Sequence, residues 1–118
     1  MKFLCLTDAQ ARDAVGALPP TAEIAAAARR LALLGDPNRI RIALVLREVG
    51  ELCVGDTANL LGLNIALVSH HVRALAASGL AEKRRDGKLV RYRLTPAAEE
   101  LLAVALAQPA DRLAAAVD

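Results

Sequence analysis

Both cysteines of the chain open the same short pattern, in which an aspartate follows three residues later. Cys5 and Asp8 stand near the start of the chain, and Cys53 and Asp56 stand near its middle. Residues three apart share a face of a helical turn, so each pattern can offer one thiolate and one carboxylate together. If the two patterns meet, two sulfur and two oxygen ligands suit a tetrahedral Zn²⁺ or a similar ion. The spacing also arises by chance, and a free cysteine is commonly a small buried apolar residue, so both interpretations stay open on the residues alone.

A second group of side chains is typical of nucleic-acid recognition. At about 100° per residue, a helix over residues 65–78 places Val68, Val72 and Leu75 on one side. The opposite side carries small and polar residues that can meet a major groove and its phosphates. The candidate DNA-contacting residues of this segment are Asn64, Ala66, Ser69, His70 and Arg73. His71 falls on the flank nearer the core, where packing or hydrogen bonding is the better interpretation.

The positive charge of the chain is concentrated in one segment. Residues 69–93 carry seven basic side chains against two acidic ones, whereas residues 1–68 carry seven of each. Residues 94–118 have a net charge of −3, and the whole chain has +2. Such a segment is the footprint of a surface that binds a polyanion, although a solvated charged hairpin has the same composition. The candidate DNA contacts here are Lys83, Arg85, Lys88 and Arg91, while Arg91 or Arg93 can instead pair within the protein.

Local signals place these side chains on a run of helices. Thr21 is expected to cap a helix that runs to about Gly35, and Asp36-Pro37 is a strong start signal for the next helix, which Gly50 ends. Two helices then follow around the turn Gly62-Leu63-Asn64, which is the outline of a helix-turn-helix. The expected helices cover residues 21–35, 37–49, 54–61 and 65–78.

A hairpin follows this motif directly. Leu80–Arg85 and Leu89–Leu94 alternate like strands around the turn Asp86-Gly87. A last helix is expected from Thr95-Pro96, with Pro109 bending or ending it. A helix-turn-helix followed by a hairpin is a winged helix-turn-helix, so the predicted fold class is mostly α with a small β-hairpin. The predicted division is an N-terminal arm or short amphipathic helix (1–20), a winged helix-turn-helix DNA-binding and dimerisation domain (21–108), and a C-terminal tail or helix extension (109–118).

The composition fits a single small domain. The chain has 118 residues, of which 55% are hydrophobic and only 2% aromatic, so its core must be built from Leu, Val, Ile and Ala. A chain of this size buries a modest share of its surface, and dimerisation would increase that share. No stretch reaches the ~18 apolar residues that span a bilayer, the apolar start is too short for a secretory signal, and two cysteines do not make a secreted disulfide framework. We therefore expect a cytoplasmic protein without a membrane partner.

Four segments together resemble the ArsR/SmtB family of metal-responsive repressors. They are Leu33–Arg41, Glu51–Asp56, Val68–Leu75 and Gly87–Leu94, in this order along the chain. The resemblance implies a homodimer held together by its first and last helices. It also implies that the metal-free protein binds double-stranded operator DNA and that metal binding releases the DNA.

The resemblance further implies a metal site that joins two subunits. Glu51-Leu52-Cys53-Val54 is most similar to the zinc-responsive and the cadmium/lead-responsive branches, in which this cysteine is joined by ligands from the other subunit's N-terminal arm. Cys5 is then the arm ligand, Asp56 matches the acidic ligand, and Asp8 stands where a histidine or a second cysteine is usual. Gly55 replaces the second cysteine of the cadmium/lead pattern, which argues against a thiolate-rich site. The last helix carries no histidine, so the family's other site is expected to be missing.

The sequence therefore predicts a transcriptional repressor that binds operator DNA as a homodimer and is released by a thiophilic metal ion, Zn, Cd or Pb, without an organic cofactor. Two alternatives stay open. One is a repressor switched by oxidation of Cys5 and Cys53 to a disulfide, and the other is a repressor whose inducer, arsenic(III) or another, is not bound by these cysteines. An enzyme is not expected: Cys53 with His70 or His71 would be a thiol–base pair, but no glycine-rich phosphate loop or nucleophile-elbow pattern accompanies them.

Overall fold

The computed structural model describes residues 2–107, which form six helices and a three-stranded antiparallel sheet. The elements are α1 (Asp8–Gly16), α2 (Thr21–Leu33), α3 (Pro37–Val49), β1 (Leu52–Cys53), α4 (Val54–Leu61), α5 (Ile65–Ala77), β2 (Ala81–Asp86), β3 (Leu89–Leu94) and α6 (Pro96–Ala107). The predicted fold class, mostly α with a small β-hairpin, is confirmed. The predicted tail over residues 109–118 and the expected bend at Pro109 lie outside the described residues.

The start signals of two helices have different outcomes. Asp36 caps α3 as predicted, because its Oδ1 accepts a hydrogen bond from the backbone N–H of Arg39 at 3.1 Å. The prediction that Thr21 caps α2 is wrong, since Thr21 is already the first helical residue and Pro20 occupies the cap position without a side-chain hydrogen bond. Proline holds the extended conformation that a cap position needs, and the carbonyl of Pro20 accepts from the N–H of Ile24 at 3.2 Å.

The N-terminal arm contains a short helix that packs little. Thr7 and Gln10 form a reciprocal capping box at the start of α1, with N–O distances of 3.0 and 3.1 Å. No residue of α1 is buried; Val15 within the helix and Phe3 before it are both exposed. The arm is therefore held by its own hydrogen bonds more than by the rest of the chain.

The sheet has the strand order β1-β3-β2, and it departs from the prediction in two ways. Asp86 still pairs with Leu89, so the hairpin loop is Gly87-Lys88, one residue later than predicted. The shift arises because Gly87, with φ of +63°, takes the left-handed conformation inside the loop and leaves Asp86 in the ladder. The strand β1 was not predicted, since two residues are too few to show alternation, yet it pairs Leu52 with Tyr92 and Cys53 with Arg91.

The core lies where α3, α5, α6 and the base of the hairpin meet. Val68, Val72 and Leu75 are buried there, which confirms the predicted inner side of α5. Outside α5, the largest fully buried side chains are Ile42 and Leu46 of α3, Leu102 of α6, and Leu80 just before β2. Thr95 ties the start of α6 to the end of α5, because its hydroxyl donates to the carbonyl of Gly79 at 2.7 Å.

Among residues 2–107, no single helix is long and apolar enough to cross a membrane, and α4 and α5 reach that length and hydropathy only as a pair bent by 117°. A bend of this size is typical of a helix-turn-helix. Gly62, in the left-handed conformation with φ of +66°, ends α4 and makes the bend possible.

Candidate nucleic-acid interface

The predicted reading helix, α5, begins with a side-chain cap. Oδ1 of Asn64 accepts hydrogen bonds from the backbone N–H groups of Ala66 and Leu67, at 2.7 and 3.4 Å. Asn64 was predicted to contact DNA, and in the structure its carbonyl oxygen shapes the helix start. The cap therefore sets the direction in which the first turn of α5 presents its side chains.

The side of α5 that faces away from the core carries the predicted contact residues. Ala66, His70 and Arg73 are exposed, and Ser69 is half-buried. Nε of Arg73 donates to the carbonyl oxygen of Ser69 at 3.2 Å, which lays the guanidinium along the helix surface. The helical periodicity thus brings four of the five predicted residues of this segment onto one accessible side.

The β-hairpin, which we call the wing, has two faces because successive residues of a strand point to opposite sides. The inner face carries the buried Tyr92 and Leu94 of β3, and with them Lys83 and Arg85 of β2. The outer face carries Arg84, Arg91, Arg93, Glu82, Asp86 and, on β1, Cys53. The wing cations are therefore divided between the face that carries the buried Tyr92 and Leu94 and the opposite face.

The cations of the outer face have acidic partners. Nε of Arg84 lies 3.0 Å from Oε2 of Glu51, and the guanidinium of Arg93 lies 2.9 Å from Glu82. The hydrogen bonds and charge of Arg84 hold the pKa of the Glu51 carboxyl below its ordinary value. Both pairs are exposed to solvent. The charge of these two arginines is thus largely balanced within the protein.

Arg91 is the predicted DNA contact that stands apart from the others. It is half-buried on the outer face, and its Nε lies 3.5 Å from Oδ2 of Asp86. That Nε is buried and makes no hydrogen bond within residues 2–107. A DNA contact by Arg91 stays a prediction.

The remaining cations share one surface. Arg73 of α5 and Lys83 of β2 line a surface recess of about 500 Å³, together with Ala76, Ala77, Ala81, Tyr92 and Glu82, whose carboxylate is paired with Arg93. Arg85 lies two residues further along the same face of β2, and Lys88 is in the exposed loop. The cations Arg73, Lys83, Arg85 and Lys88, which we call the cationic surface, form no ion pair with another residue of the described part.

His71 lies on the flank of α5, as predicted, and makes a hydrogen bond there. It is only 5% exposed, and its Nδ1 accepts from Nε of Arg39 at 2.8 Å. Burial is the main cause that lowers its pKa below the ordinary value, and the charge of Arg39 adds to it. Arg39 was missed as a site residue because its partner is 32 positions away, and no local pattern marks the pair.

The two cysteine patterns lie on different parts of the chain. Cys53 occupies the cap position of α4, where its Sγ accepts from the N–H of Asp56 at 3.5 Å. This brings the thiol and the Asp56 carboxylate onto one helical turn. Cys5 and Asp8 are exposed at the arm. Within residues 2–107 of one chain, no group of three or more His, Cys, Asp and Glu side chains is arranged to hold a metal ion.

The donor chemistry of the Cys53 turn nevertheless fits a thiophilic ion. One thiol and one carboxylate stand together at the partly open start of α4, and two further ligands would complete a tetrahedral shell. The resemblance to the ArsR/SmtB family implies that those ligands come from another subunit's arm, and the arm helix α1 contains no buried residue. The predicted metal set therefore stays a prediction in all four residues.

Comparisons with known proteins agree with this geometry. The family model described as "Bacterial regulatory protein, arsR family" matches residues 36–83. The chain is 49% identical over 61 residues to a "Cadmium resistance transcriptional regulatory protein CadC homolog" of Staphylococcus aureus, a match that covers 52% of this chain and 50% of that protein. It is 44% identical over 64 residues to the "Arsenical resistance operon repressor" of Escherichia coli (strain K12), covering 54% and 55%. The chain thus spans about half the length of the curated relatives it matches.

A solved structure is similar over a longer stretch. It is the homodimeric winged helix-turn-helix DNA-binding domain of a possible ArsR-family transcriptional regulator from Mycobacterium bovis. The TM-score is 0.69 and the identity 28%, and the match covers 76% of this chain and 85% of that one. The predicted winged helix-turn-helix architecture is confirmed.

Proposed function

The chain belongs to the ArsR family of bacterial regulatory proteins, and from this premise we propose that it is a repressor that binds double-stranded operator DNA as a homodimer. The family and the matched relatives are regulators of transcription, not enzymes, in agreement with the sequence prediction. The proposed DNA-binding and dimerisation domain is the predicted one, residues 21–108, with residues 1–20 as an arm.

One observation carries the proposal: the cationic surface has no acidic partner in the described part of the chain, whereas the outer-face arginines Arg84 and Arg93 do. Cations without an internal partner gain most from DNA phosphates, because each contact releases a counterion from the duplex. The surface is continuous with the exposed side of α5. There Ser69 and His70 can donate hydrogen bonds to base edges or phosphates, and Ala66 suits the methyl group of thymine.

The proposed dimer uses α2 and α6, the first and last helices of the domain. Both helices expose large apolar side chains in the single chain, Ile24 and Leu31 on α2 and Val104 and Leu106 on α6. Exposed apolar patches of this kind favour burial against a second copy. The similar Mycobacterium bovis domain is described as homodimeric, which supports the same state here.

The proposed inducer is a thiophilic metal ion, Zn, Cd or Pb, bound by Cys53 and Asp56 of one subunit with Cys5 and Asp8 of the other. The similar proteins are a transcriptional regulator of cadmium resistance and the repressor of an arsenical resistance operon, which supports an inducer of this class. Cys53 ends β1 and caps α4, so an ion there acts on the wing and on the helix-turn-helix at once. DNA release then requires only that the ion bind more tightly to a dimer whose reading helices are away from the ~34 Å spacing of half-sites.

DNA binding is tested by selecting duplexes from a random-sequence pool with the reduced full chain, followed by fluorescence anisotropy on the enriched duplex. Arg73→Ala should lose about 1–3 kcal/mol of binding free energy and relax the preference for the selected sequence. Arg47→Ala, which removes an exposed arginine from the end of α3, is the matched control and should bind like the wild type. Failure to enrich any sequence, or equal losses in both variants, would contradict the proposal.

The inducer is tested on the same DNA complex by adding Zn²⁺, Cd²⁺ or Pb²⁺ to reduced protein. One of these ions should weaken DNA binding by about 10- to 100-fold, and Cys53→Ser and Cys5→Ser should each abolish the response. Asp13→Asn, an acidic residue of α1 outside both patterns, should respond normally. Release by peroxide without metal would instead support the redox switch, and release by arsenite in the double serine variant would support an inducer held elsewhere.

A further inference from the structure

The Arg39–His71 hydrogen bond joins α3 to α5, two helices that are separated along the chain by β1 and α4. Arg39 is in the first turn of α3, and His71 is near the middle of α5. The N–N distance is 2.8 Å, and the histidine ring is almost fully buried. This bond belongs to neither the cationic surface nor the cysteine patterns.

Arg39 is itself held from two further directions. Its NH1 group donates to the carbonyl oxygen of Leu33, at the end of α2, at 3.4 Å. Its backbone N–H donates to the capping carboxylate of Asp36 at 3.1 Å. The guanidinium is a planar fork whose donors keep a fixed relation to one another. One side chain therefore connects the end of α2, the start of α3 and the middle of α5.

Arg39 lies beside the contact between α2 and α5, which is lined by small residues. Ala32, Ala74 and Ala77 border a surface recess of about 430 Å³ between α2 and α5, together with Arg29, Leu33, Arg39 and Ser78. Methyl groups around an open recess give few contacts to resist a change of angle between the two helices. A directional hydrogen bond at the edge of the recess supplies that resistance.

We propose that Arg39 and His71 are positioning residues, which fix the angle of α5 relative to α2 and thereby the separation of the two reading helices in the dimer. The inference rests on the proposed function, because α2 is the proposed dimer helix and α5 the proposed reading helix. His71 is next to His70 and two residues from Arg73, so a tilt of α5 at this point moves both contact residues together. A dimer distinguishes half-site spacings only as sharply as this angle is held.

The bond needs the neutral form of His71, with the proton on Nε2 and Nδ1 free to accept. Burial and the charge of Arg39 lower the pKa of His71, while Asp36 acts in the opposite direction and His70, on the same helix, lowers it further. The neutral form thus prevails at neutral pH. Protonation at lower pH turns Nδ1 into a donor that faces the Nε–H of Arg39, and the bond is then lost.

The test measures spacing preference, which a merely stabilising role would not change. The reduced full chain first selects a duplex from a random pool, and the centre of that duplex is then lengthened or shortened by one base pair. The wild type should bind the altered duplexes on the order of 10-fold more weakly than the selected one, and Arg39→Gln and His71→Leu should reduce this ratio to about 3-fold or less. Affinity for a scrambled duplex should be unchanged, and urea unfolding checks that each variant is folded.

A conservative variant provides the matched control. In His71→Asn the side-chain oxygen takes the place of Nδ1 as an acceptor and does not titrate, so the spacing ratio should be retained. On acidification the wild type should lose its spacing ratio as ¹⁵N NMR shows His71 becoming charged, while His71→Asn keeps it. If Arg39→Gln does not fold, this comparison of the wild type with His71→Asn still tests the positioning role.

The outcomes separate the two proposals. If the wild type enriches no sequence, the proposed DNA binding fails and this inference fails with it. If it enriches a sequence, but folded Arg39→Gln keeps the wild-type spacing ratio, or the wild type keeps that ratio with His71 charged, only the positioning role is overturned.

Discussion

Both faces of the wing carry basic residues, but only the outer face also carries acidic residues that pair with them. On the outer face, Arg84 and Arg93 lie against Glu51 and Glu82. On the inner face, Lys83 and Arg85 have no acidic partner within the described residues and continue toward Arg73 of α5. The difference arises from strand alternation alone, since a shift of one residue moves a side chain to the other face. A count of basic residues alone therefore does not define the proposed DNA-binding surface, which also depends on the face on which each residue lies.

The outer face also has a structural role. Glu51 immediately precedes β1, and its partner Arg84 lies on β2, with β3 between the two strands. The pair therefore joins the two edges of the small sheet. Cys53, Arg91 and Arg84 lie side by side across the three strands on this face. A change at Cys53 is thus next to Arg91 and close to the Glu51–Arg84 pair, and on the opposite side of the sheet from Lys83 and Arg85.

The largest effect that separates the faces is expected for DNA binding. Lys83→Ala combined with Arg85→Ala should weaken binding on the order of 10- to 100-fold and lower the slope of log K against log salt by about two, because two phosphate contacts are lost. Arg84→Ala combined with Arg93→Ala removes the same formal charge from the outer face and is the matched control. Fluorescence anisotropy on the selected duplex, at a series of KCl concentrations, measures both quantities.

The comparison fails if the two double variants lower the salt slope equally. That result would mean that total charge governs binding and that the ion pairs of the outer face open on DNA. A lower slope in the outer-face variant alone would reverse the assignment of the faces.

Most of the fold could be predicted because its signals are local. Asp36-Pro37 marks the start of α3, and the spacing of Val68, Val72 and Leu75 marks the buried side of α5. Where two neighbouring residues compete, the prediction was off by one position, as at Pro20 and Thr21 and again at Asp86 in the hairpin. Short strands such as β1 gain their order from a partner strand and leave no periodicity to detect.

The candidate site was predictable only in its local part. The exposed side of α5 follows from its helical period, and the division of the wing cations follows from strand alternation, because moving the loop by one residue re-pairs each β2 residue two positions along β3 and keeps its face. The pairs Arg39–His71 and Glu51–Arg84 join positions 32 and 33 residues apart, so only the tertiary structure brings them together. The predicted metal set depends on a second chain's arm, which one chain cannot display.

The smallest expected effect concerns the pH dependence of the outer face. Arg84 lowers the pKa of Glu51 below its ordinary value of 4.5, so in this range the unfolded carboxyl binds protons more readily than the folded one. The stabilisation by the pair is therefore fully present above the unfolded pKa and is lost as the pH falls through the lower, folded pKa.

Glu51→Gln removes this stabilisation at every pH. The difference in Tm between wild type and variant, followed by circular dichroism, should accordingly shrink as the pH is lowered below 4.5, while DNA affinity at neutral pH stays within about 2-fold because no contact of the cationic surface is changed. A Tm difference that is constant or widens on acidification would show that Glu51 does not act through its charge. The Glu51–Arg84 ion pair would then not stabilise the folded protein.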